Sequence, residues 1–244
     1  MTEILTEAWR TLAPEPGDRN GPLAPMMALL TIVTGFVDSY SYLVLGHVFV
    51  ANMTGNVVFS GFAVAGSSSF SLGASVTALA AFAIGAILGG RVARGHHEHR
   101  GRLLYNALLI QFVLLAAAYF VAQFGPTPGS GSGTRYALIV LLGLGMGVQN
   151  ATARNLAVPD LTTTVLTMTI TGTAADSRIA GGSGGKPGRR MLSVLAMFVG
   201  AVFGALFVLN GHPGVALLCA VVLLAVATFA AERTLSSEAA WTRP

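Results

Sequence analysis

Charge is scarce in this 244-residue sequence. Only 10% of its residues are Asp, Glu, Lys or Arg, against about a quarter in an ordinary soluble domain. With 53% hydrophobic residues and a mean hydropathy of +0.69, its long apolar runs suit a lipid bilayer rather than a water-soluble core. Cysteine is nearly absent. Cys219 stands alone in an apolar run, which excludes an intramolecular disulfide and a cysteine metal site and reads as a small packing residue. Residues 1–22 lack a basic stretch leading into an apolar core and carry Pro14, Pro16 and Pro22. They read as a disordered tail, not a cleavable signal peptide.

Other absences narrow the function. The pI is near 9.7, but the arginines are not interleaved with aromatics on a soluble module, so no nucleic-acid partner is expected. No metal-ligand pair, Gly-x-Ser-x-Gly elbow or phosphate loop is present, and neither enzyme activity nor a cofactor is expected. His96, His97 and His99 in "GHHEH" lack a cysteine or a spaced carboxylate cluster, so they read as a solvated loop and not as a metal site.

What is present is eight apolar segments: 23–45, 47–66, 70–92, 103–124, 135–157, 161–176, 191–210 and 213–231. A hydrocarbon core about 30 Å thick needs about 20 helical residues. Segments 47–66 and 161–176 are the doubtful pair. The first holds Asn52, Thr54, Gly55 and Asn56; the second, "LTTTVLTMTITGTAAD", has seven threonines and follows Pro159 and Asp160. Charge decides between six and eight spans. If both doubtful segments enter and leave on one side, the loops "RVARGHHEHRGR" and "SRIAGGSGGKPGRR" share a face with both termini. All of the fourteen Lys and Arg except Arg135 and Arg154 then lie on that face. The positive-inside rule favours this arrangement and makes that face cytoplasmic. The expectation is an all-α, polytopic membrane helix bundle with six spans, two broken or re-entrant segments and both termini cytoplasmic. Its membrane domain covers 23–231, with cytoplasmic tails at 1–22 and 232–244.

Three pairs of segments repeat in order. "TGFVDSYSY" and "GMGVQNATA" each place a polar group three positions after a glycine, Gly35 to Asp38 and Gly147 to Asn150. "VANMTGNVV" (50–58) aligns with "VPDLTTTVL" (158–166), pairing Asn52 with Asp160 and Thr54 with Thr162. "AIGAILGG" aligns with "FVGAVFGA", pairing Gly85 with Gly200 and Gly89 with Gly204. Units of about 23–124 and 135–231 in a six-span topology start in opposite directions, so the repeat is inverted. Many secondary transporters are built this way and bind solute at broken helices near the midplane. Polar broken segments are tolerable in a membrane where they are buried in protein or line a cavity. Residues 52–56 and 160–164 are therefore expected to approach the protein centre from opposite faces, with Gly55 letting the backbone leave helical geometry. Small residues recur every four positions (Gly73, Thr77, Ala81, Gly85, Gly89; then Ala196, Gly200, Gly204). Such stripes suit internal packing or a homodimer face.

The segments "GFVDSYSYLVLGHVFVANMTGN" and "GMGVQNATARNLAVPDLTTTV" carry a resemblance to the YoaK-like family of bacterial integral membrane proteins, over about residues 25–231. The resemblance implies a six-span membrane protein in the bacterial inner membrane and no established activity.

Candidate solute- or ion-binding residues are Asp38, Asn52, Thr54, Asn56, Gln149, Asn150, Arg154, Asp160 and Thr162. Asp38 is the only acid well inside a span, a costly placement that normally marks a cavity or a partner. A hydrogen-bond hub to Gln149 or Arg154 is the structural alternative. Arg154, near the inner end of its span, suits an anion or snorkels to the interface. Gln149 and Asn150 suit a polar solute edge or a helix clamp. The leading reading is a small secondary transporter or permease for an unidentified small solute, coupled to protons or cations through Asp38. A passive channel and a non-transporting scaffold are the alternatives.

Overall fold

The computed structural model describes residues 2–15, 17–129, 132–161, 163–164, 166–182 and 187–243. Six helices are long and apolar enough to cross a membrane: α2 (Leu23–Val44), α4 (Leu72–Gly95), α5 (Arg100–Phe124), α6 (Gly133–Leu156), α8 (Pro187–Leu209) and α9 (Pro213–Glu232). At 1.5 Å per residue, the 20 residues of the shortest span about 30 Å. Two more, α3 (Met53–Val64) and α7 (Leu166–Ala175), have only 12 and 10 residues, about 18 and 15 Å of helix, too short to cross. A helix α1 (Thr2–Leu12) precedes them all. The described chain thus runs long, short, long, long, and then does so again. This is the all-α, polytopic bundle of six spans and two short segments that composition and charge imply.

Local chemistry sets the helix limits. Ser71 accepts from Ala74 N at 3.2 Å and Ser132 from Arg135 N at 3.2 Å, side-chain caps at the starts of α4 and α6. Pro213 opens α9, where its missing N–H costs nothing. α8 ends on Gly211 at φ +82°, with His212 N donating back to Phe207 O at 2.8 Å.

α2 and α6 form the centre. Within their apolar windows 78% and 56% of residues are buried, against 22–33% in the other four spans. α4 and α5 cover α6, and α8 and α9 cover α2. The short helices pack mainly on a neighbour of their own unit, α3 on α4 and α7 on α8. One end of the bundle holds the termini, and there the Arg100 guanidinium donates to Leu156 O, Trp241 O, Arg19 O and the Asn20 side chain. At the far end Arg135, buried at the start of α6, donates to Leu45 O at 2.7 Å and Gly46 O at 3.3 Å. Each central helix therefore ends on an arginine from another element, which satisfies carbonyls that lack a partner in the last turn.

Glycine sets how closely these helices cross. Gly35 of α2 lies against Gly200 of α8: a Cβ built on Gly35 would sit 2.6 Å from Ala201 N, and one on Gly200 would collide with Ile32 O. Gly147 of α6 lies in the same way against α4, where added methyls would strike Phe82 O from Gly147 and Leu144 O from Gly85. One turn on, Gly89 faces Val148 and Ala151, and Gly204 faces Phe36 and Ser39. The small-residue stripe around Gly85, Gly89, Gly200 and Gly204 is consumed inside one chain, so those glycines offer no face to a second copy.

The N-terminal tail departs from the expected disorder. α1 is folded and packs on α8, with Glu7 Oε2 accepting from Gly188 N at 2.8 Å and Arg189 Nε donating to Thr11 Oγ1 at 3.4 Å. Leu5, Trp9 and Leu12 of α1 stay exposed in one stripe, the face an interfacial helix presents to lipid headgroups. Trp241 folds back over Gly21, whose missing side chain makes room for the indole.

Candidate functional site

Asp38 lies in the last third of α2 and is 6% exposed. Its Oδ1 accepts from Val50 N at 3.3 Å and Ala51 N at 3.0 Å, and its Oδ2 accepts from the Asn52 side chain at 3.0 Å. These donors come from the non-helical connection that leads into α3. Neither Gln149 nor Arg154, the partners weighed for a hub, touches the carboxylate. A second clasp tightens the same connection. The fully buried Asn56 side chain accepts from Phe49 N at 3.0 Å and donates to Phe49 O at 2.6 Å. So the two asparagines of "NMTGN" serve an irregular connection whose backbone groups have no helical partners and must be satisfied inside the protein. Gly55 is helical. Its role is space, since a Cβ there would meet the Phe49 ring at 2.8 Å. Thr54 points outward and is exposed, with no hydrogen bond among the described residues, which removes it from the site.

The second unit repeats the contact without the charge. Asn150 Oδ1 of α6 accepts from Thr164 Oγ1 at 2.6 Å, and both this bond and that from Asn52 to Asp38 span 14 residues. Asn150 and Thr164 thus stand where Asp38 and Asn52 stand, 112 residues earlier. The sequence alignment of Asn52 with Asp160 is four residues, about one helical turn, out of this register. Asp160 lies elsewhere. At φ +62° and half-buried, it accepts from Arg190 Nε at 2.7 Å, and Arg190 Nη1 donates to Asp176 at 2.7 Å. The Arg190 bridge ties the connection before α7, and the end of α7, to the first turn of α8 at the terminal end. Thr162 lies outside the described residues. Residues 52–56 and 160–164 do not converge at the centre: among the described residues no hydrogen bond joins them, and α3 and α7 pack on different spans.

Gln149 is a clamp. Buried at 2% exposure, it accepts from Gln111 Nε2 at 2.6 Å and donates to Thr34 Oγ1 at 2.9 Å, joining α6 to α5 and α2. Gln111 is not marked out by the sequence, and Arg135 is marked only as a charge off the basic face. One polar residue in an apolar span, or one arginine at a span's edge, leaves no periodic signal.

Each helix crossing opens into a cavity. The one between α2 and α8, of about 330 Å³, is lined by Asp38, Ser39, Tyr42, Phe49 and Asn52 with Gly35 and Ala201. The one between α6 and α4, of about 800 Å³, is lined by Asn150, Arg154, Thr163 and Thr164 with Phe82, Ala86, Arg94 and Leu161. They share no lining residue, and they lie beside the C-terminal halves of α2 and α6, which end at opposite ends of the bundle. Many walls correspond: Asp38 with Asn150, Ser39 with Ala151, Tyr42 with Arg154, Ala201 with Ala86. Arg154 is exposed on its cavity wall, with no ion pair among the described residues. No group of three or more His, Cys, Asp or Glu able to hold a metal occurs among the described residues.

Six spans, four of them packed around the two buried central ones, define a polytopic membrane protein. The chain belongs to the family described as "Protein of unknown function (DUF1275)", whose model matches residues 26–230. It is 34% identical over 149 residues to the UPF0700 transmembrane protein YoaK of Bacillus subtilis (strain 168), a match covering 59% of this chain and 63% of that relative. The matched part is thus less than two thirds of the relative's length. No solved structure matches the chain.

Proposed function

We propose that this protein is a small secondary transporter working by alternating access between its two crossing cavities. The observation that supports this most is the pair itself: two polar pockets at corresponding helix crossings, at opposite ends, with no shared wall. The exchanged packing, α2 on α8 and α6 on α4 through Gly35–Gly200 and Gly147–Gly85, is what an inverted repeat of the two units would produce. A bundle of this kind has two related arrangements, each opening one cavity. The 800 Å³ cavity is the wider here. With the arginine-rich terminal end taken as cytoplasmic, this is an inward-facing arrangement.

Asp38 is the coupling group in this reading. A carboxylate has about four acceptor sites, and three are taken by Val50, Ala51 and Asn52. A proton or cation taken up from the adjoining cavity cancels the charge that holds those N–H groups. The connection into α3 is then free to shift. Asn150, which is neutral, gives the other half no such response. A passive channel needs one continuous path; in this reading the Gln149–Thr34 hydrogen bond, which ties α6 to α2, helps to keep the two cavities apart.

The test is uptake into proteoliposomes with and without a proton gradient, at matched protein density, screened over small solutes. Saturable, gradient-driven uptake is expected, lost in Asp38→Asn while exchange is retained. Flux that never saturates and ignores the gradient would identify a channel instead. Equal gradient-driven rates in both proteins would reduce Asp38 to a structural clasp.

A further inference from the structure

We propose that the α4/α6 cavity binds a small organic anion, head first, between Arg94 and Arg154. The inference rests on the transporter reading and names the class of solute. Two cations line this cavity, and no carboxylate lines it or pairs with either arginine among the described residues. A lone arginine at a span's end is explained by snorkelling; two unpaired on the wall of one pocket are the usual means of holding an anionic head. The second observation is Thr163. Thr163 lines the same cavity, and its buried hydroxyl has no hydrogen-bond partner among the described residues, a loss a folded protein tolerates where a ligand supplies the missing bond. The adjoining wall is apolar, with Phe82 and Leu161, so the solute carries a hydrocarbon body behind its charged head. The matching cavity near Asp38 has Tyr42 where this one has Arg154 and holds no cation. The anion preference is therefore confined to one end.

An anionic head on an apolar body also describes a phospholipid, so the test separates the two. Full-length protein in phosphatidylcholine nanodiscs is titrated by calorimetry with hexanoate and, as an uncharged match, hexanol. Hexanoate is expected to bind and hexanol not, with affinity falling about tenfold in Arg154→Gln or Thr163→Val. Arg154→Lys should recover part of the loss. Both arginines are exposed, so their variants should fold, which the melting temperature checks. Nanodiscs containing phosphatidylglycerol decide the source: hexanoate binding that persists marks a free solute, and binding displaced by the lipid marks a headgroup. Equal binding of hexanoate and hexanol, or wild-type affinity in an Arg94→Gln/Arg154→Gln double variant, overturns the proposal. Because binding is read at equilibrium without a gradient, it fails separately from the transporter reading. Intact binding without transport sinks only that reading, and transport of another solute without hexanoate binding sinks only this inference.

Discussion

The two halves of the described bundle run through the same order of long and short helices and are filled with different chemistry. Around α2 the polar contact ahead of the short helix is a charge accepting three hydrogen bonds, and the cavity beside it is small. Around α6 the corresponding contact is one neutral bond between Asn150 and Thr164, and the cavity is more than twice as large and edged with arginines. The backbone crossings, by contrast, correspond glycine for glycine. The difference teaches where each kind of constraint acts. Close packing of helices in lipid has few solutions, because there is no hydrophobic drive between apolar helices and contact must come from backbone approach. The walls of a cavity are free to differ.

The first way to break the comparison is at the crossings. A methyl on Gly200 would collide with Ile32 O and one on Gly85 with Leu144 O, backbone atoms that cannot swing aside. Gly200→Val and Gly85→Val are each expected to cost about 3 kcal/mol or more, read as a large drop in melting temperature in detergent or as loss of folded protein. Gly90→Val is the control, since nothing lies within 4 Å of a Cβ there, and it should melt within a few degrees of wild type. If Gly85→Val were tolerated and Gly200→Val were not, the two crossings would not be equivalent.

The second way sharpens the contrast in charge. Asp38→Ala leaves Val50 and Ala51 N–H buried without an acceptor, at about 2–4 kcal/mol for the pair. Asp38→Asn keeps one oxygen for those N–H groups, and the Asn52 amide can turn to receive the new NH2 group. Its cost is about 1 kcal/mol, and the variant should fold. Asn150→Ala removes one neutral bond to a hydroxyl, about 1 kcal/mol. The expected order of thermal stability is Asp38→Ala below Asn150→Ala, with Asp38→Asn near the latter. The reverse order would mean that the carboxylate is not what holds the connection before α3.

Much of this was legible in the sequence. Hydropathy marked the six spans, and the distribution of arginine separated them from segments 47–66 and 161–176, which form short helices. Gly85, Gly89, Gly200 and Gly204 stood out by their spacing. What could not be read was register and reach. "LTTTVLT" offers threonine at several offsets, so matching residue types slid by one turn, and only the hydrogen bond to Asn150 fixes Thr164 as the partner of Asn52. Asp160 stood as a candidate binding residue through its match with Asn52, because Arg190, 30 residues away, was not visible as its partner. Asn56 looked like a ligand for solute because a side chain that binds its own backbone and one that binds a guest have the same chemistry. α1 was hidden by the prolines that follow it.

The smallest expected effect concerns the layer that separates the two halves. Gln149 joins α6 to Gln111 of α5 and Thr34 of α2, and no matching clamp exists in the first unit, where Val37 stands 112 residues before it. Gln149→Leu fills a similar volume but leaves Gln111 only the weak acceptor Met146 Sδ, at 3.8 Å. Thr34 loses less, because its hydroxyl also donates to Leu30 O at 3.0 Å. Inter-helix hydrogen bonds in membranes average only about 0.6 kcal/mol, so the melting temperature should fall by a few degrees at most. The informative readout is leak. If the clamp closes the layer between the cavities, Gln149→Leu proteoliposomes should dissipate an imposed proton gradient faster than wild type at nearly unchanged stability. A variant equally stable and equally tight would make Gln149 an ordinary packing residue, and closure between the halves would then rest on the aliphatic contacts of Leu30, Leu142 and Met146, all fully buried at this level.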